Sequence, residues 1–317
     1  GTILWTAQTG NRISAIAVSD QAIVVTSGLH LVALDPHTGE QHWKVALEGS
    51  ADDVRWWDGS ILAVSSVYDI EHNDFIESAL WKFDANGECL WVERMDERPW
   101  SVLELGGQCY AGLGRPRCGW LTLSDSPPFE HHLPPTSFPV MSGVSGRKRL
   151  LFGQTDGSVV DHKATVLSTE LGAVEHLSML SQGFAASTDA GHLSVRNDDG
   201  TLQWESKGDP ISAQDSGFVA EERSLFWLAR ASELNGQLSV HDSSDGSLLA
   251  STSLSRVRSI SSTKTRTAVG CDDGEVLVWD STLLARRLNQ ESSSSNEPVD
   301  DRKAALQAKL LALRQSK

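Results

Sequence analysis

The sequence predicts an all-β chain of seven repeated four-stranded antiparallel blades closed into a ring. Three observations carry this: a hairpin-like stretch recurs, its copies are evenly spaced, and the chain starts and stops in mid-repeat. The founding copy is Leu31-Val32-Ala33-Leu34-Asp35-Pro36-His37-Thr38-Gly39-Glu40-Gln41-His42-Trp43. It reads as an apolar strand, a turn, and a second strand anchored by tryptophan. Asp35 can accept turn amide hydrogen bonds, and Gly39 can take the left-handed conformation that closes a longer hairpin loop. Phe83-Asp84 through Gly87 to Trp91 and Arg196-Asn197 through Gly200 to Trp204 repeat it. Val240-His241-Asp242 turns through Asp245-Gly246, with Ala250 at the tryptophan position. Leu121–Asp125 and Val276–Asp280 keep the first half, and Val159–Lys163 is a degenerate copy with Lys163 read at the aspartate position.

Taking 35, 84, 125, 163, 197, 242 and 280 as equivalent gives gaps of 49, 41, 38, 34, 45 and 38. Their mean of about 41 is the period of four-stranded propeller blades. Trp279-Asp280 matches the WD dipeptide, and Ala33-Leu34-Asp35 through Thr38-Gly39 to Trp43 is similar to the quinoprotein-type repeat. Over roughly residues 2–290 the chain resembles the seven-bladed β-propellers of the WD40 and quinoprotein-like repeat superfamily. That resemblance implies architecture rather than activity, because propellers host many unrelated functions. Quinone-dependent relatives typically have eight blades, a calcium ion and often a vicinal cysteine pair. No Cys-Cys occurs here, so no quinone cofactor is expected.

The elements follow in order. Gly1 and Trp5 have the spacing of Gly39 and Trp43, so residues 2–8 read as the outermost strand of a blade whose inner three strands are 255–280. Pairing the two ends removes the exposed edges of an open ring. Blade 1 runs over about 12–48 and blade 2 over about 53–95, with an insertion at 68–78. Blade 3 spans about 100–136 and ends in a proline-rich stretch suited only to an irregular segment or an outer edge. In blades 4 to 7, Asp156-Gly157, Ala190-Gly191, Asn235-Gly236 and Asp273-Gly274 read as the turns between second and third strands. The domain plan is therefore a propeller over 1–290, a flexible serine-rich linker over 291–299, and a C-terminal amphipathic α-helix over 300–317.

A net charge of −15 and a pI near 5.0 argue against a nucleic-acid phosphate surface and against anionic membranes. No apolar run reaches transmembrane length. The four cysteines lack C-x-x-C spacing, so free thiols in a reducing, cytoplasmic compartment are the expectation. The chain begins at Gly1 rather than Met, which leaves a removed signal peptide open.

The tryptophans at 5, 43, 91 and 204 hold fixed places in the repeat and are expected to pack between blades. Trp56, Trp57 and Trp100 lie off that register, and Trp100 is the one singled out for a binding face. Asp69, Glu71 and Asp74 cluster oxygen ligands as a calcium loop would, but without the glycine and alternation of an EF-hand. They read instead as a solvated hairpin extension on the face shared by second-to-third-strand loops and blade-to-blade loops. No catalytic, cofactor or metal site is assigned. Leu306, Leu310 and Leu313 form an apolar stripe flanked by Arg302, Lys303, Lys309 and Arg314. A tethered helix of this length is marginal alone in water, so it is expected to pack on its own propeller, on a partner groove or on a second copy.

The function read from the sequence is a non-catalytic protein-interaction scaffold, a subunit of a larger complex that binds partners through one propeller face and the C-terminal helix. The alternatives are a carboxylate-dependent hydrolase or lyase at the central channel, and a quinoprotein-like binding protein of envelope assembly. Perturbed carboxylates converging at the channel mouth would mark the enzyme.

Overall fold

The computed structural model describes residues 3–134, 136–146, 148–220, 223–232 and 235–287. It contains seven four-stranded antiparallel sheets, six of them built from four consecutive strands. The seventh joins Val257–Ser262, Arg266–Cys271 and Glu275–Asp280 to Ile3–Gln8, which pairs antiparallel with Glu275–Asp280 as the outermost strand. The ring is thus closed by the N-terminal strand, as the mid-repeat start predicts.

Each blade is buried on both sheet faces, so its inner strands are nearly continuous apolar runs. In blade 1, Ile23–Ser27 is buried throughout and His30–Leu34 is buried after its first residue, while the outermost strand Gln41–Ala46 is largely exposed. The core lies between blades: Val24, Leu31 and Ala33 of blade 1 meet Val54, Ile61 and Trp81 of blade 2.

The tryptophans lock neighbouring blades as expected. The Trp5 indole N–H donates to the Pro36 carbonyl at 3.2 Å, Trp43 to Ala85 at 3.0 Å, and Trp204 to Ser243 at 3.1 Å. Trp56 and Trp57 are also structural, donating to the Ala17 and Gly107 carbonyls.

Two local readings are corrected. In blade 4 the turn residue is Asp161, not the position of Lys163. Asp161 accepts the amides of Lys163 and Thr165, and its own amide bonds the Thr165 carbonyl as Asp35 bonds Glu40. In blade 6, Asn235-Gly236 is not the turn. It lies inside the strand Asn235–Asp242, paired with Ser232 and Ala231, where a Cβ on Gly236 would sit 2.8 Å from the Ser255 carbonyl oxygen. A two-residue spacing motif cannot reveal how far a hairpin extends beyond it.

After Glu275–Asp280 the chain forms a short helix over 281–287. Asp280 caps it, accepting from the Thr282 and Leu283 amides. These are the contacts Asp35 makes to His37 and Thr38, so one aspartate geometry serves a turn in blade 1 and a helix N-cap in blade 7. The predicted linker and helix at 291–317 lie outside the described residues.

Candidate functional site

Every blade repeats one irregularity on its innermost strand. The register slips between Ile13 and Ile16, Ala51 and Asp53, Pro99 and Ser101, Val140 and Ser142, Val174 and His176, Ile211 and Ala213, and Val257 and Ser259. A bulge puts one extra residue on one strand and re-aims its side chain. The extra residues include Ser14, Asp52, Trp100, Met141, Glu175 and Arg258, and all six line a central channel of about 200 Å³. They sit at the strand starts, on the face where blades are joined and second strands turn into third ones.

On that face blade 2 carries a long hairpin. Its second and third strands, Ser60–Asp69 and Asp74–Phe83, have ten residues each and carry their hairpin beyond the ring. The predicted insertion is therefore an extended hairpin, with Asp69 opposite Asp74 at the tip. The Asp69 carboxylate accepts the Glu71 amide at 2.8 Å and meets His72 Nδ1 at 2.5 Å. The bond from His72, helped by the Glu71 amide, holds Asp69 below the ordinary carboxylate value. Asp74 accepts the Phe75 amide. These carboxylates bind their own turn, while Ile70 is 86 % and Ile76 52 % exposed.

The hairpin and the channel meet at Arg98. Its guanidinium carbon lies 3.6 Å from the Phe75 ring centroid and 4.0 Å from that of Trp100. Its Nη2 donates to Asp52 at 3.1 Å. Asp52 also accepts from Ser50 Oγ at 2.9 Å and from Ser66 Oγ. Burial pulls the Arg98 pKa down, with Arg12 adding to the effect, and Asp52 pulls it back. Backbone geometry holds the arginine: the Arg98 carbonyl accepts the Gly114 amide at 2.7 Å, as Arg12 accepts Gly28 and Arg256 accepts Asp272. Each stacked contact contributes about 0.5–2 kcal/mol, most where water is excluded.

Trp100 thus faces the channel and joins the Asp69–Asp74 hairpin through Arg98 and Phe75. Arg98, Phe75 and Asp52 were not singled out from the sequence. Aligning the blades would have shown arginine before the innermost strand at Arg12, Arg98 and Arg256, whereas the bulge that turns Asp52 inward leaves no mark in residue type. Leu306, Leu310 and Leu313 lie outside the described residues.

Carboxylates lining the channel and on its inner strands are perturbed. Burial pushes Asp215 up to about 7, offset in part by Arg55 and by bonds from Ser216 and Ser262. Burial raises Asp53 although Arg55 and the Val102 and Val54 amides oppose it, and it raises Glu175, with the Asp189 charge adding to the effect. Burial also pushes His176 down to about 4, against its bond to Ile211. Asp53 and Asp215 are structural staples, since Asp53 accepts the Val102 amide of blade 3 at 3.1 Å and Asp215 takes Ser262 of blade 7. Among the described residues no group of three or more His, Cys, Asp or Glu is placed to hold a metal ion. No described helix is long and apolar enough to cross a membrane.

A family model described as outer membrane protein assembly factor BamB matches residues 1–112, which cover blades 1 and 2 and the start of blade 3. No curated protein matches the sequence. Among solved structures, BamB from Moraxella catarrhalis is similar, with a TM-score of 0.61 and 16 % identity over 87 % of this chain and 85 % of that one. The Cps50 (Swd1) β-propeller domain of Myceliophteria thermophila aligns with a TM-score of 0.70 and 13 % identity, covering 88 % and 99 %. BBS1N, solved in complex with ARL6DN, aligns at 0.68 and 9 % identity, covering 88 % and 96 %. At these identities the likeness establishes the fold: the chain is a seven-bladed β-propeller, with quinoprotein-like repeats at its N-terminal end.

Proposed function

We propose that this chain is a non-catalytic protein-interaction module, and that its partner seats on the face where the blade 2 hairpin stands over the channel mouth. One observation carries the reading. The hairpin spends the Asp69 and Asp74 carboxylates on its own turn and carries Ile70, Ile76 and Tyr68, 86 %, 52 % and 47 % exposed. Burying one such side chain in a partner contributes about 1.5–3 kcal/mol. At the hairpin base, Arg98 between Phe75 and Trp100 supplies a rigid, polar-edged platform of the kind that anchors interfaces. Asp69, Glu71 and Asp74 form its acidic rim.

The test is affinity capture from the native host with wild type, with Ile70→Asp/Ile76→Asp, and with Val219→Asp on the opposite face as control. A stoichiometric partner held by wild type and control but lost by the double variant supports the reading. Equal recovery from all three overturns it.

We place the module in the cytoplasm, on the observation that all four cysteines are unpaired and Cys89 is exposed. The family match over residues 1–112 favours a second reading, a binding subunit of envelope assembly. Cell fractionation of the native protein separates the two. The hydrolase or lyase alternative is weaker, because Asp53 and Asp215 are spent on joining blades and Asp52 on Arg98, Ser50 and Ser66.

A further inference from the structure

Three outermost strands, those of blades 3, 4 and 6, lack the locking tryptophan, and the junction between blades 6 and 7 is left with a gap. The outermost strands of blades 7, 1, 2 and 5 place Trp5, Trp43, Trp91 and Trp204 one step after a bulge, and in blade 6 the same register holds Ala250, paired with Val240. On the other side, blade 7 has the helix over 281–287 where its neighbours have a glycine turn. Between them lies an open apolar cavity of about 100 Å³, lined by Trp227, Leu238, Val240, Ala250, Trp279 and Leu284. Trp227 and Trp279 form its floor, with ring centroids 5.3 Å apart. A dry apolar cavity of about 150 Å³ takes a benzene, so this smaller one suits a single aliphatic side chain.

We propose that the chain's own C-terminal segment fills this cavity, Leu310 entering where other blades insert tryptophan and Leu306 and Leu313 flanking it. The described chain ends at residue 287, within one helical turn of Leu284 in the cavity wall. Thirty residues follow. The stretch 288–299 can span up to about 40 Å when extended, more than enough to bring 300–315 back. Alone, a helix of that length is marginal in water. Tethering raises its local concentration to about millimolar, so a free partner at micromolar concentration must bind about a thousandfold more tightly to displace it. Arg302, Lys303, Lys309 and Arg314 also bring positive charge to a chain of net charge −15.

Hydrogen exchange on the full-length chain tests this. Amides of 300–315 in wild type should exchange about tenfold or more slowly than in a free peptide of the same sequence. Both Ala250→Leu, which fills the cavity from within, and Leu310→Asp should return them to the free-peptide rate. Leu310→Asp lies outside the ring, so it decides the matter even if Ala250→Leu disturbs folding. Free-peptide rates in wild type, protection that survives Leu310→Asp, or protection that survives a folded Ala250→Leu overturns the proposal. Protection that grows with protein concentration does so too, since it would point to a second copy.

Discussion

The indole of Trp43 occupies the space a side chain would need on Gly87 of the next blade. A Cβ built on Gly87 would fall 2.8 Å from Trp43, and Gly87 has a φ of +85°. The same pairing joins Trp5 to Gly39 and Trp204 to Gly246, with a built Cβ at 2.6 and 2.9 Å. In this repeat, glycine therefore serves the neighbour's tryptophan as much as its own turn.

Gly87→Ala should destabilise the ring by about 2–4 kcal/mol, adding a left-handed backbone cost to an overpacked contact. Gly59 is the control, having a φ of +71° with nothing within 4 Å of a built Cβ. Gly59→Ala should cost about 1–2 kcal/mol, the backbone cost alone. Urea unfolding of both variants checks this, and equal losses would deny the tryptophan its role.

Removing the closing strand should be far worse. Deletion of residues 1–9 takes away Trp5, itself worth about 3–5 kcal/mol, and leaves Glu275–Asp280 as an unpaired edge open to aggregation. Size-exclusion chromatography with urea unfolding reads the outcome. A monomer as stable as wild type would refute the shared blade.

Between blades 4 and 5 a charge pair stands where four other junctions use tryptophan. Arg196 Nε donates to buried Glu170 at 2.7 Å, and Ser168 and Ser194 donate to the same carboxylate. Burial alone would raise the Glu170 pKa, but Arg196 and the hydroxyls outweigh it and hold it below 4.5. The pair's contribution is therefore complete above pH 4.5 and is lost as pH falls through the lower folded value. Glu170→Gln should cost about 3 kcal/mol at neutral pH by stranding the guanidinium. That gap should close in acid, and a gap constant with pH would contradict the assignment.

Asp215 has the opposite sign. Its pKa rises from 3.8 to about 7 in the folded chain, so the folded state keeps a proton the unfolded chain releases. Stability is lost as pH rises between those values and is level above them. The stability of Asp215→Asn relative to wild type should therefore increase from pH 4 to pH 7 and then plateau. Thermal melts across that range give the result, and a flat difference would show that burial does not raise this carboxyl.

What was legible in the residues was the repeat itself. Asp35, Gly39 and Trp43 act within one hairpin and its next neighbour, so short-range patterning sufficed for blade count, the shared closing blade and the tryptophan locks. Lys163 and Asn235-Gly236 were misread because a turn one blade builds with two residues another extends or shifts. Only strand pairing decides which residue sits at the tip.

The functional face needed more than pairing within a hairpin. Trp100 and the 68–78 insertion stood out by breaking the pattern, but Arg98, Phe75 and Asp52 come from a loop, a hairpin and an inner strand separated by more than twenty residues each. The sequence alone determined a seven-bladed ring, because each blade's folding instructions are local and repeated. Only the tertiary structure decided where the ring departs from its own rule: bulges in six blades turning side chains into the channel, an arginine held between two aromatic rings, and a junction where Ala250 leaves a cavity. Those features arise where different blades meet, and no periodicity along one chain encodes the distance between them.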